Sequence, residues 1–221
     1  MALSIIVPLG GDDTLGRELL NLLDKACAHH QVIVSTTVTC SSKLPARALR
    51  ISGPAGRGRQ LNRGGRAACG HWLWLVHADS QPEPDALTVV ERFIGQSQDA
   101  LGYCRLRFLP DGPGLVRLNA WGANLRSCLL GLPYGDQGLC LPRSWFERLG
   151  GFREDLARGE DLDLVVRARR AGLPIRAIAT TLATSARRYR QQGWLRTTLS
   201  HQLAAWRLIR AARRSQPPGA P

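Results

Sequence analysis

The chain has few lysines, few acidic residues and no long apolar run. Arginine carries nearly all of the positive charge, since Lys25 and Lys43 are the only lysines. No segment approaches the 18 or more consecutive apolar residues of a membrane-spanning helix. The six cysteines form no C-x-x-C pair, which disfavours a zinc site and predicts a reducing, cytoplasmic location. The N-terminal residues lack the basic and apolar regions of a secretory signal, so we expect none.

An excess of basic residues is the strongest feature of the composition. The 221 residues carry a formal net charge of +13, and 44% of them are hydrophobic, as in an ordinary globular domain. Arginine suits two-pronged contacts with phosphate groups. The charge indicates nucleic acid, an anionic membrane or a diphosphate ligand as a partner, or else only a solvated basic surface.

Segments typical of strands and of helices alternate along the chain. Apolar runs predict strands at 3–7, 31–36, 48–52, 72–76, 103–109, 139–141 and 175–178. Helical spacing predicts helices at 14–28, 56–68, 85–94, 115–130 and 161–171, with a short helix from residue 144. This order predicts an α/β fold, a Rossmann-like three-layer α/β/α domain over residues 1–192 with a mostly parallel central sheet.

The last part of the chain has a different pattern. Residues 193–214 predict a basic amphipathic helix, followed by a flexible tail at 215–221. A basic helix that contains tryptophan can lie on an anionic membrane surface, which predicts a peripheral position at the inner membrane face. The alternative is that the apolar side of this helix covers the core of the protein itself.

A buried strand leads directly into a carboxylate. The apolar run Trp72–Val76 precedes His77, Ala78, Asp79 and Ser80. Open α/β sheets bind ligands just outside the carboxyl ends of their strands. Asp79 is therefore a candidate ligand for a metal or for the phosphate side of a nucleotide, although it could also cap the following turn.

Four more segments carry polar groups suited to chemistry. Residues 56–65 combine glycines and arginines that could face a diphosphate or form a solvated loop. Residues 134–138 place Tyr, Asp and Gln in a glycine-flanked turn that suits hydroxyl recognition. Residues 159–163 hold three carboxylates at a helix start, where one could act as a general base or all could serve as caps. Residues 185–189 set two arginines beside a tyrosine, as a diphosphate clamp or an exposed turn.

The ordered motifs resemble those of family 2 glycosyltransferases with the GT-A fold. They are an IIVP strand, an N-x-x-G-x-x-A-x-G segment from Asn62 to Gly70, a strand that ends in an Ala-Asp pair, and a later Glu-Asp pair. The HADS, PYGDQ and SARRY segments are similar to those of small bacterial transferases called radical-SAM/selenodomain-associated transferase 2. The resemblance covers roughly residues 3 to 200.

The resemblance implies a nucleoside-diphosphate sugar donor, a Mg²⁺ or Mn²⁺ cofactor, and inverting transfer to an acceptor hydroxyl. It implies Asp161, preceded by Glu160, as the catalytic base. It implies Asp79, with His77, at the metal. It assigns the acceptor or the sugar to Tyr134, Asp136 and Gln137. It assigns the nucleotide sugar to Pro8, Asp12, Arg57, Arg59, Gln60, Asn62, Asp79, Arg187 and Arg188.

Two departures from the family pattern affect these assignments. The usual Asp-x-Asp is here His77-Ala78-Asp79, which offers one carboxylate to the metal. The usual Asn-Glu after the first strand is replaced by Gly10 to Asp13. Two other functions remain as alternatives: a non-enzymatic nucleic-acid binder, which the absence of a recognition motif disfavours, and a nucleotidyltransferase. We therefore expect no nucleic-acid partner, whereas the acceptor, a lipid or a glycan, stays open.

Overall fold

The computed structural model describes residues 2–10, 15–38, 44–96, 99–156, 158–200 and 203. A single curved sheet of eight strands runs through the molecule, in the order β3-β2-β1-β4-β7-β6-β8-β5. The strands are β1 (Leu3–Leu9), β2 (Gln31–Thr37), β3 (Leu49–Gly53), β4 (Trp72–Leu75), β5 (Gln81–Pro82), β6 (Leu101–Phe108), β7 (Leu139–Pro142) and β8 (Ile175–Thr184).

Helices cover both faces of this sheet. They are α1 (Arg17–Ala26), α2 (Arg57–Ala67), α3 (Ala86–Gln96), α4 (Val116–Leu130), α5 (Arg143–Arg148), α6 (Glu160–Arg170) and α7 (Arg187–Gln192). A 3-10 turn at Gly135–Gln137 precedes β7. One buried cluster packs α2, α5 and α6 on the sheet, and a second packs α1 and α3 on the opposite face. The three-layer α/β/α architecture that the sequence predicts is thus confirmed.

One strand runs against its neighbours and brings two loops together. Strands β1, β2, β3 and β4 are parallel, whereas β7 lies antiparallel to β4, with Leu73 opposite Leu141. The end of β4 therefore faces the beginning of β7. As a result, the loop with His77 and Asp79 and the 3-10 turn lie next to each other at the same end of the sheet, beyond the carboxyl end of β4.

Glycines in α2 allow this helix to lie close to the sheet. A Cβ on Gly64 would overlap the side chain of Ile6, and one on Gly65 would come within 2.5 Å of the Phe146 ring. The segment that could have been a flexible glycine-rich loop is therefore a packed helix. Its glycines approach protein atoms rather than leaving a free loop.

The C-terminal part of the sheet is longer than the sequence predicts. Strand β8 continues beyond 175–178 to Thr184, and the strand β5 and the helix α7 were not predicted. Gly193, with φ of +81°, separates α7 from a further helical stretch at residues 194–200 and 203. The rest of the predicted helix 193–214 and the tail lie outside the described residues. No helix in the described ranges is both long enough and apolar enough to cross a bilayer.

Candidate active site

Four segments that are far apart in sequence meet at the end of the sheet where the parallel strands β1 to β4 have their carboxyl ends. They are the start of α2, the loop after β4, the 3-10 turn before β7 and the start of α6. Their contacts centre on the carboxylate of Asp161, which is 9% exposed. The site is therefore assembled from both halves of the chain by the sheet topology.

Backbone amides and a guanidinium hold the Asp161 carboxylate. The amide of Gly135 donates to Oδ2 at 2.6 Å, and the amide of Leu162 donates to Oδ1 at 2.9 Å. The Arg57 Nη2 atom lies 3.9 Å from Oδ2. Burial tends to raise the pKa of Asp161, but Arg57 and the Gly135 amide outweigh it and hold this pKa below its ordinary value. Asp161 is therefore ionised at neutral pH.

Arg57 and Glu160 connect α2 to α6 across the site. The Arg57 Nε donates to Oε1 of Glu160, whose side chain is 3% exposed, while the Arg57 side chain remains 42% exposed. Glu160 is thus occupied in orienting Arg57. The guanidinium keeps an open side toward solvent, where it can meet an anion.

The absence of a side chain at Gly135 leaves room between an imidazole and a carboxylate. A Cβ at this position would lie 2.8 Å from Asp161 Oδ2 and 2.9 Å from His77 Nε2. Burial and Arg57 lower the pKa of His77 to about 4, against the opposing effects of Asp79 and Asp161. The imidazole is therefore neutral at pH 7, with a ring nitrogen available as a ligand.

The pKa of Asp136 is shifted in the opposite direction to that of Asp161. Burial and the charge of Asp161 raise the pKa of Asp136 to about 6, although Arg126 and Arg57 act against this shift. Its Oδ1 atom is buried and has no hydrogen-bond partner among the described residues. Two neighbouring carboxyl groups thus have pKa values that are pushed apart, which is typical of acid–base sites.

The turn that carries Asp136 is fixed from below by Gln137. The Gln137 Oε1 accepts from Ser127 at 2.8 Å and from the Tyr134 amide at 3.1 Å, and its Nε2 donates to the Cys104 carbonyl at 3.1 Å. Gln137 is fully buried, so its amide positions the turn from inside the protein. The Arg126 guanidinium lies 3.6 Å from the Tyr134 ring centre, which holds that ring beside the site.

Two residues predicted to line the nucleotide site are directed into the protein. Gln60 Nε2 donates to the carbonyls of Leu9 and Ser35 at 2.9 and 2.8 Å, where it joins the ends of β1 and β2. Asn62 Nδ2 donates to the Phe152 carbonyl at 2.8 Å, and its Oδ1 accepts the Phe152 amide at 2.8 Å. Both amides are buried and shape the site without a free polar group toward it.

The remaining predicted residues are distributed around the same edge. Pro8 is buried in β1, and Asp79 is exposed in the loop after β4. Half-exposed Arg59 lies 3.7 Å from Glu154. Arg187 and Arg188 are exposed on the first turn of α7. Asp12 lies outside the described residues.

Sequence reasoning did not identify Gly135, Arg126 or Ser127 as parts of the site. Gly135 could have been found from the adjoining Tyr-Gly-Asp pattern, because a glycine beside polar residues often marks a close approach. Arg126 and Ser127 lie in α4, and nothing in the sequence indicates that this helix faces the turn.

Comparisons with known proteins identify solved structures with a similar fold. No protein-family model and no curated protein matches the chain. Among solved structures, S. aureus TarS 1-349 is similar over 84% of this chain and 60% of TarS, with a TM-score of 0.62 and 16% identity. A further TarS structure contains UDP-GlcNAc. The chain thus spans about three-fifths of the TarS structure.

Two other solved structures resemble the chain over nearly all of its length. The mannosyltransferase PcManGT from Pyrobaculum calidifontis, in complex with GDP-Man and Mn²⁺, matches 98% of this chain and 65% of its own, with a TM-score of 0.64 and 17% identity. Glucosyl-3-phosphoglycerate synthase from Mycobacterium tuberculosis, with Mn²⁺ and UDP, matches 100% and 81%, with a TM-score of 0.58 and 16% identity. The chain therefore has the GT-A fold of these transferases, as its motifs predicted.

Proposed function

We propose that the chain is a glycosyltransferase that moves a sugar from a nucleoside-diphosphate sugar to an acceptor hydroxyl, with inversion at the anomeric carbon. The observation that carries this proposal is the convergence of Arg57, His77, Asp136 and Asp161 on one edge of a GT-A sheet. The GDP-Man and UDP-GlcNAc bound by proteins of the same fold support a nucleotide-sugar donor.

A divalent cation fits the donor set at the end of β4. Asp79 supplies an exposed carboxylate, and neutral His77 supplies an imidazole nitrogen. No group of three or more His, Cys, Asp or Glu side chains that could hold a metal exists in the described ranges. Mg²⁺ and Mn²⁺ accept such a sparse protein set when substrate phosphates complete the shell. When bound, the cation would offset negative charge on the departing diphosphate.

Basic side chains provide the anion-binding part of the donor site. Arg57 keeps an open side while Glu160 orients it, and Arg59 lies two residues further along the first turn of α2, where it is half exposed. Arg187 and Arg188 are exposed on α7. We propose that these four arginines stabilise the nucleoside diphosphate before and after transfer. Pro8, Gln60 and Asn62 contribute by shaping the walls of this site.

Asp161 is the proposed acceptor of the proton from the attacking hydroxyl. It is ionised, and its amide contacts fix it in place while its remaining lone pairs stay free to accept a proton. Asp136 is a second candidate, because its Oδ1 has no partner among the described residues and its pKa of about 6 lies nearer the working pH of an enzyme. Tyr134 and Asp136 border the acceptor in either case.

Turnover and donor binding of variants test the proposal. Donor binding is measured by calorimetry with UDP-GlcNAc and GDP-mannose in Mn²⁺, Mg²⁺ or chelator, and turnover by release of nucleoside diphosphate. We expect Asp161→Asn to keep donor affinity and to lose about 10² to 10⁴ in turnover. Asp79→Ala should abolish the metal dependence of donor binding. Asp24→Asn, an exposed change on α1, serves as the matched control.

The outcomes separate the proposal from its alternatives. If Asp136→Asn loses turnover and Asp161→Asn does not, the proton goes to Asp136. Release of pyrophosphate in place of nucleoside diphosphate would identify a nucleotidyltransferase. Binding of nucleic acid with a steep salt dependence, without any donor binding, would identify the non-enzymatic binder. Unchanged turnover in both aspartate variants would remove the carboxylate pair from the mechanism.

Peripheral association with an anionic membrane is part of the same proposal. The sequence predicts it from the basic helix after residue 193, and the helical stretch at residues 194–200 and 203 supports it. A lipid or glycan acceptor at such a surface would suit a site that opens at the sheet edge. The cytoplasmic location and the transferase subgroup remain predictions from the sequence.

A further inference from the structure

Exposed hydrophobic side chains are concentrated in one part of the molecule. Of the eleven large hydrophobic residues exposed in the described ranges, nine lie within residues 115–130 and 195–203. The other two, Val38 and Leu49, stand near the opposite edge of the sheet. Contiguous apolar surface of this kind marks a site of interaction on a soluble domain.

Helix α4 is apolar on two opposite sides. Its inner side buries Val116, Ala123 and Ser127. Its outer side exposes Leu118, Trp121, Leu125 and Leu129, which are 57%, 65%, 39% and 69% exposed. These four residues repeat every three or four positions, so they form one stripe on the helix surface. Packing of the domain accounts for the inner side only.

The helical stretch after Gly193 extends this outer stripe. Trp194 Nε1 donates to Asn119 Oδ1 at 2.5 Å, and Asn119 Nδ2 donates to Thr198 Oγ1 at 3.0 Å. These bonds join the stretch to α4. Its leucines, however, remain open to solvent: Leu195, Leu199 and Leu203 are 66%, 60% and 55% exposed. We call the four outer residues of α4 and these three leucines the apolar face.

The two segments that carry the apolar face contain basic residues and no acidic ones. No acidic residue occurs in 112–135 or anywhere after Asp163, whereas residues 164–221 contain twelve arginines. Arg117 and Arg196 are exposed on the two helices that carry the face. Neither forms an ion pair with an acidic side chain in the part of the chain that the structure describes. Basic side chains beside apolar ones match the interface of an anionic bilayer.

We propose that the apolar face docks on an anionic lipid bilayer. Its leucines and Trp121 would enter the headgroup region, and the flanking arginines would contact lipid phosphates. A second copy of the chain is a poorer occupant, because a symmetric contact would bring Arg117 and Arg196 of the two copies together. The proposal adds α4 to the C-terminal segment that the sequence predicts for this role.

The position of α4 relates the membrane to the reaction site. Its inner side contacts the turn beside Asp161, since Arg126 stacks on Tyr134 and Ser127 donates to Gln137. The apolar face and the turn at residues 134–137 therefore lie on different sides of the same helix. Docking through this face would present a membrane-borne acceptor to the turn at residues 134–137.

Vesicle binding tests the proposal with the full chain and without any nucleotide sugar, so its result is separate from that of the transferase assay. Sedimentation is compared for vesicles of phosphatidylcholine alone and for an equal mixture with phosphatidylglycerol. We expect binding to the mixture only. Leu118→Glu with Leu125→Glu should lower this binding by at least about tenfold. Val38→Glu with Leu49→Glu is the matched control and should leave it unchanged.

A second variant tests the electrostatic part of the contact. Arg117→Ala with Arg196→Ala should lower binding to the anionic vesicles by roughly tenfold or more and weaken its salt dependence. Circular dichroism and the urea midpoint confirm that each variant is folded. Equal vesicle binding by parent and Leu118/Leu125 variant would overturn the proposal. So would a dimer, measured by light scattering, that the same two substitutions dissociate while vesicles bind neither form.

Discussion

Gly135 stands where the carboxylate of Asp161 and the imidazole of His77 converge. Its amide holds Asp161 Oδ2 at 2.6 Å, while the space beside its Cα separates the two side chains. The same residue thus positions one group and leaves room for another. The hydrogen bond between Ser127 and Gln137 holds the surrounding turn in place. The turn therefore cannot shift away from Asp161 or His77 without breaking this bond.

Substitution of Gly135 by alanine should damage the site more than the fold. The added Cβ would come within 2.9 Å of both Asp161 Oδ2 and His77 Nε2, which forces these groups apart. We expect turnover to fall by about a hundredfold, because small displacements of reacting groups have effects of this size. Steady-state assays of nucleoside diphosphate release measure it.

A glycine with open space around it provides the control for that experiment. Gly95 in α3 has no atom within 4 Å of an added Cβ, so Gly95→Ala should keep full turnover. Gly135→Ala should retain its circular dichroism spectrum. Full activity in Gly135→Ala would mean that His77 and Asp161 need not keep their present separation.

At the scale of elements, α2 organises the site through its inward face. Gln60 joins the ends of β1 and β2, Asn62 holds the segment at Phe152, and Arg57 reaches α6. One helix therefore connects three separate parts of the chain.

Removal of the Asn62 amide should release the segment that follows Gly151. Asn62 bonds both the carbonyl and the amide of Phe152 and also contacts Glu154 Oε1 at 2.9 Å. Asn62→Ala leaves buried backbone groups unpaired, so we expect a loss of about 1–3 kcal/mol in the free energy of unfolding. Urea titration measures this loss, and trypsin cleavage at Arg153 should become faster.

An exposed asparagine supplies the comparison. Asn21 lies on the solvent side of α1, so Asn21→Ala should change neither the urea midpoint nor the cleavage rate. If Asn62→Ala behaves like Asn21→Ala in both measurements, the amide does not hold this segment.

Much of this arrangement could be predicted from the sequence, and there are physical reasons why the rest could not. The apolar run at Trp72–Leu75 encodes a buried strand, which places Asp79 at the ligand-binding edge. The inward orientation of Gln60 and Asn62 could not be predicted, because α2 has little apolar periodicity and its contact face is marked by Gly64 and Gly65 instead.

Element ends were harder to predict than elements. Strand β8 continues past Ile178 to Thr184 because it pairs with β6 along this length, with a register shift between Tyr103 and Arg105 that a local pattern does not reveal. Likewise, nothing before the turn at Gly135 indicates that β7 runs antiparallel, since sheet order depends on contacts between distant segments.

For the whole molecule, the burial of Asp136 beside Asp161 lowers the free energy of unfolding at neutral pH. Burial and Asp161 raise the pKa of Asp136 to about 6, above its value in an unfolded chain. A group with a raised pKa favours the folded state while it is protonated, and this contribution is lost as pH rises through the folded value. The ionised Asp136 therefore destabilises the protein at neutral pH.

Asp136→Asn should stabilise the protein in a pH-dependent manner. We expect a gain on the order of 2 kcal/mol at about pH 8, which falls to less than half of that at about pH 4.5, where the folded carboxyl is protonated but most of the unfolded chain's carboxyl is still ionised. Urea unfolding of parent and variant at both pH values measures the difference. An equal gain at the two values would show that ionisation of Asp136 is not its cause.

Because β7 runs antiparallel to β4, the segment between β6 and β7 forms a separate region at one end of the sheet. Everything from the end of β6 to the start of β7 forms an excursion that leaves the sheet and returns beside β4, where Leu75 pairs with Leu139. The exposed residues of this excursion can therefore change while the strands that present Asp79 keep their register and the Gly135 amide keeps Asp161 in place. Under the proposed function, acceptor specificity would in this way change without disturbing donor binding.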